Sequence, residues 1–167
     1  DEYGFPSGSM GAINGSGVTT FMNNHPDHTV KRLDKVEFRV SSGATFDRQL
    51  PLQGRLMSLV AWNVNTKEII PLRDYYDEAS GRLTWAAPKE SGWHVMMCQC
   101  VKDGDPNVDY LSPEAVKLFV QDTHEVYYNR FSNHFGGTII STFFDALTMY
   151  RAQGRMWTDN FNESFEL

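Results

Sequence analysis

Hydrophobic and polar positions change their period along the chain, and the changes divide it into three stretches. Residues 1–35 are rich in Gly, Ser, Asn and His and show little periodicity. They read as a long site loop followed by a short helix near 29–33, since a long stretch without regular structure in a compact protein is usually functional or disordered. Between 36 and 103 the apolar residues fall into short β-like runs at 36–40, 55–62, 67–72, 82–85 and 93–101. Asn63-Val64-Asn65-Thr66, Asp77-Glu78-Ala79-Ser80-Gly81 and Pro88-Lys89-Glu90-Ser91-Gly92 separate them with turn chemistry, which predicts an antiparallel β module.

Over 104–167 the period becomes helical. Ser112 is an N-cap candidate, Pro113 suits the first helical position and Glu114 sits near the positive helix end. Val116, Phe119, Val120, Thr123, Tyr127, Phe131 and Phe135 recur at threes and fours, predicting one amphipathic helix of about six turns that stops at Gly136-Gly137. The run Thr138-Ile139-Ile140-Ser141-Thr142-Phe143-Phe144 then reads as a strand buried on both faces, as a parallel strand between helices would be. Residues 159–165 begin one more helix. Helix, loop and buried strand in that order predict an α/β fold, α+β if the chain is a fragment, built as part of a (β/α)8 barrel with the β module inserted in it.

Composition narrows the partners. A formal net charge of −6 and the absence of a Lys/Arg cluster argue against a nucleic acid backbone or an anionic membrane surface. No run of about 18 apolar residues predicts a membrane span and no leader pattern predicts a signal peptide. At 167 residues the chain is too short for a whole (β/α)8 barrel of about 250 residues, so the remainder of the barrel would lie elsewhere. Cys98 and Cys100 share one strand face, badly placed for a disulfide with each other, and read as buried, inert thiols.

Two segments carry the candidate chemistry. The opening Asp1-Glu2-Tyr3-Gly4-Phe5-Pro6-Ser7-Gly8 places two carboxylates before an aromatic residue, and the apolar run at 138–144 ends at Asp145. Glycoside hydrolysis uses two carboxyl groups across the scissile bond, and in a barrel such groups stand at strand ends. The opening, with Gly81-Arg82-Leu83-Thr84-Trp85-Ala86-Ala87-Pro88, Asn107-Val108-Asp109-Tyr110-Leu111-Ser112-Pro113-Glu114-Ala115-Val116, His134-Phe135-Gly136 and Arg155-Met156-Trp157-Thr158, resembles the catalytic domain of glycoside hydrolase family 106, the α-L-rhamnosidase-like enzymes.

The resemblance implies a partial TIM barrel acting on an oligo- or polysaccharide, secreted or periplasmic, with Glu2 and Asp145 as the candidate catalytic residues, Asp145 standing just before the position of the family's second catalytic carboxylate. Where that family has a second Glu after the Asp, this sequence has Ala146, which cannot titrate, so turnover is expected to be impaired. Tyr3, Tyr150, Arg151 and Trp157 are the implied substrate-binding residues. Calcium is the implied candidate cofactor, with Asp1, Glu2 and Asp145 as oxygen ligands; residue types and spacing alone leave the metal unknown. A different expectation comes from the β module: a non-catalytic carbohydrate-binding surface using Trp62, Trp85 and Trp93, although tryptophans in strands more often supply core. A third is a structural remnant without a ligand.

Overall fold

A computed structural model describes residues 18–104, 107–141 and 154–165. The chain divides into two compact units, Leu33–Val101 and the remainder, which joins the part up to Arg32 with the part from Lys102 onward.

The central unit is β-rich. It holds most of β1 (Lys31–Val40), then β2 (Thr45–Gln49), β3 (Arg55–Asn63), β4 (Ile69–Pro71), β5 (Tyr76–Asp77), β6 (Arg82–Ala86) and most of β7 (Trp93–Lys102). One sheet runs β4-β3-β7-β1 and the other β2-β6-β5. Trp62 of β3 stands opposite Ile69 of β4 and His94 of β7, and Phe46 of β2 stands opposite Trp85 of β6, all in antiparallel register. Alternation then sorts the side chains. Leu59, Ala61, Trp93, Val95 and Met97 from one sheet meet Phe46, Leu83 and Trp85 from the other in a single buried cluster. Within it Trp85 and Trp93 pack edge to face with centroids 5.7 Å apart, a favoured aromatic geometry.

Loops are fixed by particular residues. Asn63, fully buried, accepts the backbone N–H groups of Asn65 at 2.9 Å and Thr66 at 3.2 Å and donates to Ser91 O at 3.2 Å. One side chain thus shapes the β3–β4 turn and ties it to the residues before β7. At Gly54 an added Cβ would fall 1.9 Å from Cys100 O, so the close approach of the chain entering β3 to β7 requires glycine.

The other unit contains α1 (Val18–Asn24), α2 (Pro113–Val120), α3 (Val126–Phe131), β8 (Arg155–Trp157) and α4 (Phe161–Phe165). Its core is Phe21, Val108, Ala115 and Phe119. Ser112 caps α2 as its sequence predicts, its Oγ accepting Ala115 N–H at 3.3 Å with Pro113 at the helix start.

The barrel expectation is overturned. Strands joined by short turns and paired antiparallel are not the strand–helix repeats of a (β/α)8 segment, whose strands are parallel. Two local readings fall with it. The helix predicted to run unbroken to Phe135 loses its α pitch at the π-helical turn Gln121–Glu125 and ends in the tight turn Ser132–His134. Thr123 Oγ1 bonds back to Phe119 O there, a contact that bends helices.

The run from Thr138 is not a buried strand as far as Ser141: Ile140 is 81% exposed. Gly136, at a φ of 81°, reverses the chain, and Gly136 N–H donates to Ile139 O while Ile139 N–H donates to His134 O. Local turn closure therefore takes residues whose apolar character suggested a strand. Near the start, the helix expected at 29–33 is replaced by an antiparallel bridge of Thr29 to Val108 and by β1 beginning at Lys31.

Candidate functional site

In the unit holding α1 and α2, three chain segments converge on one carboxylate. The stretch His28–Val30 is held on both sides, since Asp109 N–H donates to His28 O, Val30 N–H to Asn107 O and Asp103 N–H to Val30 O. This aims Lys31 at the residues before α2. Asp109 is fully buried. Its Oδ1 accepts Leu111 N–H at 3.1 Å and its Oδ2 accepts the Thr158 hydroxyl at 2.8 Å. Lys31 Nζ lies 4.0 Å from Asp109 Oδ2, 2.8 Å from Asp159 Oδ2 and 3.0 Å from Asp27 O.

Burial pushes the Asp109 carboxyl above the ordinary aspartate value, and the Thr158 and Leu111 bonds and the Lys31 charge pull the other way. Burial also raises the neighbouring Tyr110 phenol to about 12. A carboxylate closed to solvent and bonded in an Asx turn cannot touch a substrate; its chemistry is to hold the segment before α2 against the segment carrying Trp157.

Of the site residues that the resemblance implies, Trp157 is the one among the described positions. Half-buried, it packs on Phe161 with centroids 3.9 Å apart, so one ring face is taken. Its Nε1 is buried and has no hydrogen-bond partner among the described residues. Glu2, Tyr3, Asp145, Ala146, Tyr150 and Arg151 lie outside the described residues, as does Asp1. The donors implied for calcium therefore lie there too; among the described residues no three His, Cys, Asp or Glu side chains gather as metal ligands. Nor, among them, is any helix long and apolar enough to cross a membrane.

The β module displays a different set of groups. Trp85 and Trp93 are 4% and 1% exposed, so neither can hold a ligand. Trp62 points to the opposite sheet face and is half-buried. There His94, its cross-strand partner, lies with ring centroids 6.5 Å from it. His94 Nδ1 in turn is 2.5 Å from Glu37 Oε1. Lys35 Nζ donates to Glu37 Oε2 at 2.9 Å, and these two contacts, the lysine's first, hold the Glu37 carboxyl below its ordinary value. Lys67 Nζ lies 5.6 Å from the Trp62 ring centre. Half-buried Cys98 and buried Cys100 are not joined in a disulfide.

The row Trp62–His94–Glu37 and the role of Asp109 were not singled out in the sequence. The period of two placed Trp62 and His94 in strands but did not pair them, because pairing depends on register. Asp109 stands three residues before the N-cap, where an Asx turn is common, yet nothing in the sequence reports that Thr158 reaches it. No family model, curated protein or solved structure matches the chain.

Proposed function

We propose that this chain is a carbohydrate-directed protein of the α-L-rhamnosidase-like glycoside hydrolase type whose catalytic pair is halved at Ala146. The observation that supports this reading most is the Asp109–Thr158 bond of 2.8 Å. It joins two of the stretches on which the resemblance rests, 107–116 and 155–158, and so gives segments distant in sequence one shared position. Asp109 is a positioning residue in this reading, fastening the segment of Trp157 and leaving acid–base work to Glu2.

In such a reaction one carboxylic acid protonates the departing glycosidic oxygen. A second carboxylate either activates water, with the pair roughly 6.5–9.5 Å apart, or attacks the sugar itself at about 5 Å. Glu2 takes one role, and inversion follows by analogy with the family. Asp145 lies beside the vacant second role and serves to bind a hydroxyl or orient its neighbour. Alanine at 146 can neither donate nor accept a proton, so the chain binds sugar without efficient turnover. General acid–base assistance contributes about 10²–10⁴ in rate, the factor expected to be missing.

The test is hydrolysis of an α-L-rhamnoside panel by the wild type and by Ala146→Glu. The expected result is negligible release by the wild type and a gain of about a hundredfold or more in the variant, abolished again by adding Glu2→Gln. A folded Ala146→Glu protein that releases no sugar from the panel would overturn the proposal.

A further inference from the structure

We infer that Lys31 is a positioning residue for Trp157: its ammonium acts as a tethered cation that clasps Thr158 and Asp159, and with them the strap from Trp157 to Phe165, beside the buried carboxylate of Asp109. That Trp157 serves a ligand rests on the carbohydrate reading above; the clasp itself stands on contacts within this unit alone.

One side of the clasp is fixed. Lys31 follows Val30, whose N–H donates to Asn107 O and whose carbonyl accepts Asp103 N–H, so the backbone beneath the ammonium is held on both sides. The lysine side chain is only 12% exposed. An ammonium carries three N–H donors, and here Nζ finds Asp27 O at 3.0 Å on the fixed side and Asp159 Oδ2 at 2.8 Å on the strap. Asp109 Oδ2, 4.0 Å away, feels the charge and accepts its own bond from the strap, the Thr158 hydroxyl at 2.8 Å. Two neighbouring residues of the strap are therefore gripped by one cation and one carboxyl group.

The strap itself buries little. Thr158 is the one buried residue of 154–165, Met156, Trp157 and Phe161 are half-buried, and Phe165 is 81% exposed. Segments with few buried apolar contacts open at a lower free-energy cost than a core, so polar contacts at Thr158 and Asp159 weigh heavily in holding this one. They also set its shape. Phe161 N–H donates to Thr158 O at 3.2 Å and Ser164 N–H to Asn160 O at 3.0 Å, so α4 starts from the clasped pair, and the Phe161 ring centre lies 3.9 Å from that of Trp157. Charge explains why a cation is used. Asp159 opposes the ionisation of Asp109, and removing Lys31 would leave that repulsion without its offset beside a buried carboxyl group.

The experiment is hydrogen exchange of the full chain, followed at the Phe161 and Ser164 amides and at the indole N–H of Trp157, whose Nε1 is buried. The amides of α2, in the same unit, and of β3 serve as references. Lys31→Met keeps the stem and removes the charge. It should speed exchange at the three strap groups together by about tenfold, equivalent to about 1.4 kcal/mol of local opening, with the reference amides unmoved. Lys31→Arg keeps the charge and should hold strap exchange close to wild type. Asp159→Asn, a milder change at the half-buried strap end of the pair, should speed the same groups several-fold, and it carries the test where Lys31→Met does not fold. Strap exchange unmoved in the folded variants, or faster by the same factor in strap and references, would overturn the inference. So would Lys31→Arg exchanging as fast as Lys31→Met, which would show that the charge is not the fastener.

The readouts separate this inference from the hydrolase reading. Exchange uses no sugar, so the absence of hydrolysis by Ala146→Glu sinks the hydrolase and leaves the clasp. Where Ala146→Glu does hydrolyse, adding Lys31→Met should raise KM about tenfold and leave kcat within about threefold, since a displaced platform weakens ground-state and transition-state binding alike. An unchanged KM despite a loosened strap would overturn the ligand-serving role of Trp157 and leave the clasp.

Discussion

At the scale of single residues, the most consequential feature is a carboxylate placed where water cannot solvate it. Asp109 has three hydrogen-bonding or charged neighbours, Thr158, Leu111 N–H and Lys31, yet burial outweighs them and raises its pKa above 3.8. Because the folded state holds this proton more tightly, it binds more protons than the unfolded chain from about pH 3.8 up to the raised value. Stability associated with Asp109 is thus full at low pH and falls as pH rises through that window. Asp109→Asn removes the ionisation while keeping an oxygen acceptor for Leu111 N–H, and Lys31 retains Asp159 at 2.8 Å. Urea midpoints measured from pH 3.5 to 7 should therefore shift in favour of the Asn variant relative to wild type as pH rises. A difference that stays flat with pH would show that Asp109 does not titrate in this window.

Among the elements, α2 shows how a local signal survives. Ser112→Ala removes the acceptor of Ala115 N–H and is expected to destabilise the protein by about 1 kcal/mol, read from equilibrium denaturation, whereas Ser112→Asp should hold stability because Asp also caps. The cap was legible because it depends on neighbours in sequence. The central strands were legible for the same reason: the runs 55–62, 82–85 and 93–101 fall on β3, β6 and β7, and the 77–81 turn falls between β5 and β6. β2 was missed because its pattern of one buried residue, Phe46, among exposed ones gives no alternation to detect. The long helix was misread because Val116 to Phe135 keep an apolar spacing compatible with α, π and tight turns alike, and apolar spacing does not report the local back-bond of Thr123 to Phe119 O. At 138–141 an apolar run named a strand, and the reversal at Gly136 made it a turn. For the site the limit is sharper. Trp62 was named as one of three tryptophans, but its separation from Trp85 and Trp93 depends on which strand face each occupies.

For the whole molecule, the question is where cooperativity resides. Leu33–Val101 forms one compact unit whose two sheets close on a common core, and chains of about 55–65 residues can fold alone when their core is sufficient. Its core includes the edge-to-face Trp85–Trp93 pair and fully buried Leu83, Val95 and Met97, with Asn63 fastening two loops from inside. Residues 33–101 expressed alone should accordingly fold, giving a cooperative urea transition and blue-shifted tryptophan emission from the two buried indoles. Within that unit Leu83→Ala should cost about 2–5 kcal/mol, enough to consume much of the 5–15 kcal/mol by which domains are stable. A broad, non-cooperative melt with solvent-like emission from the isolated unit would mean that its core is completed by the rest of the chain. A sharp melt would instead mean that the two sheets of residues 33–101 supply the whole of that core themselves.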